Sequence, residues 1–142
     1  MRGWTYRVKV AASDTGGALT LLEGRMPAHH AGPIEHVHAG HDEAFFILEG
    51  RLRFRIGDAY RELVPGETVH ASRGLAHGFS NTSDEPARYL AMLTPSGYEV
   101  FFARLAATLR KLGAPPDRAT LLALMAEHGT YAVGPDGALL TE

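Results

Sequence analysis

His36, His38, Glu43 and His77 are the residues of this chain best suited to chemistry, because three imidazoles and one carboxylate can surround a single divalent metal ion. In the segment GPIEHVHAGHDEAFFILEG the first two histidines are separated by one residue, and Glu43 follows five residues after His38. Side chains at i and i+2 of an extended strand point to one face, so both imidazoles can reach one ion if this stretch is a strand. On a helix the same spacing is a rotation of about 200°, and the two rings would diverge. Ala39, Gly40, His41 and Asp42 form a polar, glycine-containing patch suited to a turn, after which Glu43 opens the next strand. His77 arrives from GETVHASRGLAHGFSN, behind a turn around Ser72, Arg73 and Gly74. Donors supplied by two separated hairpins need a folded scaffold to meet.

Nitrogen and carboxylate donors suit iron, manganese, nickel, cobalt, copper or zinc, and the set does not choose among them. Around a six-coordinate ion four protein ligands leave two positions for water, oxygen or a bidentate substrate, as a redox or Lewis-acid site requires. Around a tetrahedral ion the same four ligands close the site and make it structural.

Period-two patterning governs the elements that must position these donors. Leu52, Phe54 and Ile56 alternate with Arg51, Arg53 and Arg55, which predicts a strand with one buried and one solvated face. Ala44 to Leu48 is apolar at every position, so both of its faces should be covered. Gly50 and Gly57-Asp58 mark hairpins. Further strands are expected at Thr5 to Ala11, Ala18 to Met26, Tyr60 to Val64, Glu67 to Ala71, Gly78 to Asn81 and Arg88 to Thr94, a succession that suggests a jelly-roll or barrel. After Pro95 the period changes. Ser96 and Glu99 form an S-x-x-E capping box ahead of Phe101, Leu105, Leu109 and Leu112, with Gly113 as the stop. Asp117 should cap a second helix through Leu121, Leu124 and Met125 to His128, and GPDGALLTE should loosen into a turn. The expected organisation is a single mainly β domain over residues 1–142, with a barrel to about residue 95 and a helical extension over about residues 96–130. The helices should lie across the outside of the barrel or help form a dimer.

The chain resembles the cupin superfamily. His36, His38, Glu43 and Gly50 match the last four fixed positions of that family's first motif, G-x5-H-x-H-x3,4-E-x6-G, and Gly66, Gly74, His77 and Asn81 match its second, G-x5-P-x-G-x2-H-x3-N. Gly32 stands four residues ahead of His36 where the family has six, and Ser72 replaces the proline; both are turn-shaping positions. The resemblance implies a cupin jelly-roll β-barrel followed by two α-helices, and one metal ion on His36, His38, Glu43 and His77. A second likeness, carried by the run PSGYEVFF and the GPDG close, is to the small quercetin 2,3-dioxygenase-like cupins. It implies an oxidoreductase that brings oxygen to an enol or flavonol-like molecule, with Glu43 both binding the ion and accepting the substrate's hydroxyl proton. A metal-dependent isomerase, lyase or hydrolase and a non-catalytic binding module are the alternatives.

If the histidines face inward, period two turns Ile34 inward with them, Phe45 and Ile47 with Glu43, and Phe79 with His77. These residues, with Tyr89 and Met92, are candidates for an apolar substrate pocket, core filling being the alternative role for each. His41 and Asp42 read as a solvated turn or as an acid or base beside the ligands. His29 and His30 read as surface loop, His70 as a barrel histidine and His128 as a helix terminus.

Composition narrows the partners. A net charge of −2 and a pI near 6.4 leave no basic footprint for nucleic acid or an anionic membrane, so a small molecule is the expected partner. The absence of cysteine excludes disulfides and thiolate ligands. With no membrane-length apolar run and no signal-like segment in MRGWTYRVKV, a cytoplasmic location is expected. Family habit and the need to cover Phe46 and Leu48 suggest a homodimer.

Overall fold

The computed structural model describes residues 3–140. Its strands are β1 (Thr5–Val10), β2 (Thr20–Met26), β3 (His36–His38), β4 (Asp42–Glu49), β5 (Leu52–Ile56), β6 (Ala59–Leu63), β7 (Thr68–Ala71), β8 (His77–Ser80), β9 (Ala87–Thr94) and β10 (Thr130–Ala132). Two helices, α1 (Glu99–Leu112) and α2 (Arg118–Glu127), lie between β9 and β10. The strands form two antiparallel sheets of five, ordered β1-β2-β9-β4-β7 and β10-β3-β8-β5-β6. This is a double-sheet jelly roll, mainly β with two helices, as the alternation implied.

Alternation decides what goes inside. On β4 Glu43, Phe45 and Ile47 are buried, and on β5 Leu52 and Phe54 are buried while Arg51 and Arg53 are exposed. The sheets meet through aromatic rings: Phe45 lies 5.0 Å from Phe54 and 5.0 Å from Phe79 between ring centroids. On β9 Ala87, Tyr89, Ala91 and Leu93 are buried, which corrects the placement of Met92. Tyr89 and Met92 are an odd number of residues apart, so a strand cannot turn both inward, and Met92 is 39% exposed. Phe46 likewise remains 41% exposed on the outer face of its sheet.

The helical boundaries follow their punctuation, with one change of chemistry. Gly113 takes φ +66° and closes α1. The Asp117 side chain accepts from Thr120 N–H at 2.8 Å, capping α2. At the start of α1, however, Tyr98 is the N-cap and Ser96 makes no side-chain cap. Glu99 instead accepts from Gly97 N–H at 2.9 Å, Ala12 N–H at 3.0 Å and the Thr20 hydroxyl at 2.6 Å, tying the helix to the start of β2. Between the second helix and the turn at GPDG the structure adds a strand that the sequence reading did not place. Thr130, Tyr131 and Ala132 pair with His38, Val37 and His36 as strand β10, so the chain returns from the helices to complete the sheet that carries the histidines.

Candidate metal centre

His36 and His38 occupy the two ends of β3, and their shared face turns both rings inward. His77 on β8 is the direct cross-strand partner of His36. Glu43 comes from β4 of the opposite sheet, so the cluster lies between the two layers. All four side chains are buried, and their donor atoms lie within 4.8 Å of one another. Donors on opposite sides of one ion, each at about 2.0–2.2 Å, would stand roughly 4.2 Å apart. The cluster therefore fits a divalent ion with small adjustment.

The far side of each imidazole explains which nitrogen is offered. His36 Nδ1–H donates to the Ile34 carbonyl at 2.6 Å, and His77 Nδ1–H donates to the Leu75 carbonyl at 2.9 Å. A carbonyl can only accept, so the neutral rings keep a lone pair on Nε2. His38 Nδ1 meets the Thr130 hydroxyl at 2.8 Å, and that oxygen can accept in the same way. The Nε2 atoms of His38 and His77 both lie 3.3 Å from Glu43 Oε2.

Electrostatics separates the donors. Burial opposes charge on Glu43, but the Nε2 edges of His38 and His77, each an N–H donor to Oε2 when its ring is protonated, outweigh it and hold the carboxyl well below its ordinary range. Burial, then the neighbouring His77 and His38, lowers His36 to about 3 and keeps it neutral. At His77 burial also disfavours charge, yet the Glu43 hydrogen bond overrides it and raises the group. Neutral His36 and anionic Glu43 are the states a metal ion needs.

Above the cluster opens a cavity of about 570 Å³. Its barrel side includes the donors His36, His38 and Glu43 with Trp4, Tyr6 and Phe79. Its other side is made by Phe101, Phe102, Leu105 and Leu109 of α1 and Leu121 and Met125 of α2. The helices thus roof the cavity, a more specific place than the outside of a barrel. Of the six expected pocket residues, Ile34 and Phe79 line this space. Phe45, Ile47 and Tyr89 are packed into the core behind it, and Met92 lies on the outer face.

Other polar residues move from their expected places. His41 is 7% exposed, not solvated; its ring lies 4.0 Å from that of His38 and 4.7 Å from that of Tyr98. Burial, with the neighbouring His38, lowers it to about 4. Asp42 pairs with Arg73, accepting from its Nε at 3.0 Å and its backbone N–H at 2.9 Å. That pair fastens the turn before Glu43 to the turn before His77, and its hydrogen bonds lower Asp42 to about 2. His70 is exposed, which corrects its reading as a barrel histidine. His29 is an exposed loop residue, while His30 is half-buried with its ring 5.4 Å from Trp4. Thr130, Tyr98, Tyr6 and the helical aromatics escaped sequence reading because nothing local links them to the histidine motifs.

The cupin domain family matches residues 22–93, half of the chain and all four donors. Over 100 residues the chain is 25% identical to "Quercetin 2,3-dioxygenase" of Bacillus subtilis (strain 168), covering 70% of this chain and 29% of that protein. Over 94 residues it is 26% identical to "Tetracenomycin polyketide synthase protein TcmJ" of Streptomyces glaucescens, covering 66% of this chain and 63% of that protein. The chain therefore spans less than two thirds of either relative. Among solved structures, KdgF from Halomonas sp. superposes with a TM-score of 0.62 at 16% identity, over 70% of this chain and 86% of that one. At that identity the likeness speaks to fold alone. With a buried three-histidine, one-glutamate cluster between the sheets of a jelly roll and the family's domain matched across it, this chain belongs to the cupin superfamily.

Proposed function

We propose that His36, His38, Glu43 and His77 hold one divalent metal ion, and that the chain is a dioxygenase-type oxidoreductase acting on a small enol or flavonol-like molecule. The observation that carries this reading is the opening of a buried donor cluster onto a largely apolar, aromatic-walled cavity. The sequence likeness to a quercetin 2,3-dioxygenase supports it. A bound ion would polarise a substrate oxygen and, if redox-active, exchange electrons with oxygen. Phe79, Phe101 and Phe102 stack on a flat ring system and exclude water, while the His36, His38 and His77 rings are held by their Nδ1 contacts. Glu43 is kept as a carboxylate and accepts the proton of a substrate hydroxyl brought to the centre.

The protein should be reconstituted separately with iron, manganese, nickel, cobalt, copper and zinc, and oxygen uptake measured with a flavonol. Oxygen consumption matched by flavonol loss supports the proposal. Turnover without oxygen uptake assigns a Lewis-acid reaction instead, and failure to retain any of the ions overturns the metal centre. We further propose a homodimer formed through the outer face of the β4 and β9 sheet. There Phe46 pairs with Leu90, and Ala44 with Met92, as an apolar strip. Sedimentation of Phe46→Glu tests this; a wild-type monomer rules it out.

A further inference from the structure

Trp4, Tyr89 and Tyr6 share their hydrogens in a way that leaves one over. Trp4 Nε1–H donates to the Tyr89 hydroxyl at 2.8 Å, and the Tyr89 and Tyr6 hydroxyl oxygens are 3.2 Å apart. An indole N–H can only donate, whereas each phenol donates one hydrogen and also accepts. The trio therefore brings three hydrogens to two internal hydrogen bonds. One hydrogen must find an acceptor elsewhere, and among the described residues neither hydroxyl has another partner. Tyr89 is wholly buried behind the cavity, while the Tyr6 ring forms part of the cavity wall, 4.5 Å from Phe102 of α1. The spare hydrogen thus belongs at the Tyr6 end.

The arrangement is built into the strands. Tyr6 pairs with Gly24 on β2, and Gly24 pairs with Tyr89 on β9. A Cβ at Gly24 would stand 2.3 Å from Tyr89 Cζ, so a glycine here is what lets the Tyr89 phenol cross β2 toward Tyr6. Burial raises the pKa of both phenols, and the Glu43 charge adds to it, so Tyr6 is a neutral donor. Each hydrogen bond in such a chain strengthens the next donor.

We propose that Tyr6 is a ligand-positioning residue whose hydroxyl donates a hydrogen bond to a carbonyl or phenolic oxygen of the molecule bound over the metal centre. This rests on the cavity being the substrate site. Tyr89 lies four residues along β9 from Leu93, the strand partner of Glu43, which is about 13 Å of extended chain. Tyr6 therefore belongs to a different level of the barrel from the metal donors. A molecule touching both reaches across these levels, with one oxygen toward the metal donors and another toward Tyr6.

Zinc-loaded protein should be titrated with flavone, which carries a carbonyl, and with 2-phenylnaphthalene, which has the same outline without oxygen. Tyr6→Phe should weaken flavone binding about 2- to 12-fold, the range of one neutral hydrogen bond, and leave 2-phenylnaphthalene unchanged. Tyr89→Phe should keep the preference for flavone, because Tyr6 can still donate. Circular dichroism confirms that each variant folds. Equal effects of Tyr6→Phe on both probes, or a wild type that binds both with equal affinity, overturn the role of Tyr6 and leave the cavity as the ligand site. A wild type that binds neither overturns both.

Discussion

Replacing Thr130 by Val removes one hydroxyl from beneath the metal centre and little else, since the two side chains are nearly the same size. Thr130 is 0% exposed and its Oγ1 is 2.8 Å from Nδ1 of His38, itself 1% exposed. In the wild type that oxygen accepts the Nδ1 hydrogen, so the Nε2 lone pair faces the centre. In the variant a buried N–H would be left without a partner, at a cost of about 1–3 kcal/mol. The ring can escape that cost by moving its hydrogen to Nε2, which already lies 3.3 Å from Glu43 Oε2 and would donate to it. Metal binding must then reverse the tautomer and break the new hydrogen bond. We expect a loss of about 10- to 100-fold in affinity, or about 1.4–2.7 kcal/mol. Competition against a chelator of known affinity, with zinc at neutral pH, measures it. An affinity within twofold of wild type, in a variant with unchanged circular dichroism, would falsify the idea that Thr130 orients His38.

Three further outcomes follow from the geometry. His77→Ala should reduce metal content at least about tenfold, because one donor is lost, while the barrel spectrum stays similar; retained metal would refute the donor set. In the metal-free protein, His77 stabilises the fold fully below about pH 6.5 and loses that effect as pH rises through its raised pKa. His36 acts oppositely: with its folded pKa near 3, the unfolded chain binds the proton first, so stability falls as pH drops below about 6.5. Thermal melts of metal-free protein should peak near pH 6–7, and a melting temperature that rises steadily across the whole range would contradict these assignments. Gly32→Ala should cost at least about 2 kcal/mol, because Gly32 has φ +76° and a Cβ there would stand 1.7 Å from the Phe79 carbonyl oxygen. Gly40→Ala meets nothing within 4 Å, and urea unfolding should leave it within about 0.5 kcal/mol of wild type.

The amino-acid sequence by itself determined which side chains could form the centre and which strands would carry them. Side-chain alternation and glycine turns act over a few neighbouring residues, so the β3 pair, the turn at Ala39 to Asp42 and the strand opened by Glu43 were all readable locally. The same rule, applied strictly, would have excluded Met92 from the pocket, since its partner Ala44 is one step out of phase with Glu43. Only the tertiary structure decided what stands behind and above the donors. Thr130 reaches His38 across 92 positions of sequence, on a strand of three residues that is too short to show a period. The roof of Phe101, Leu105 and Met125 depends on how α1 docks, and that is set by Glu99 finding Ala12 and Thr20 instead of the local cap its own motif suggests. Contacts between distant segments are chosen by which surfaces can be buried together, a property of the assembled layers that no short stretch of chain contains.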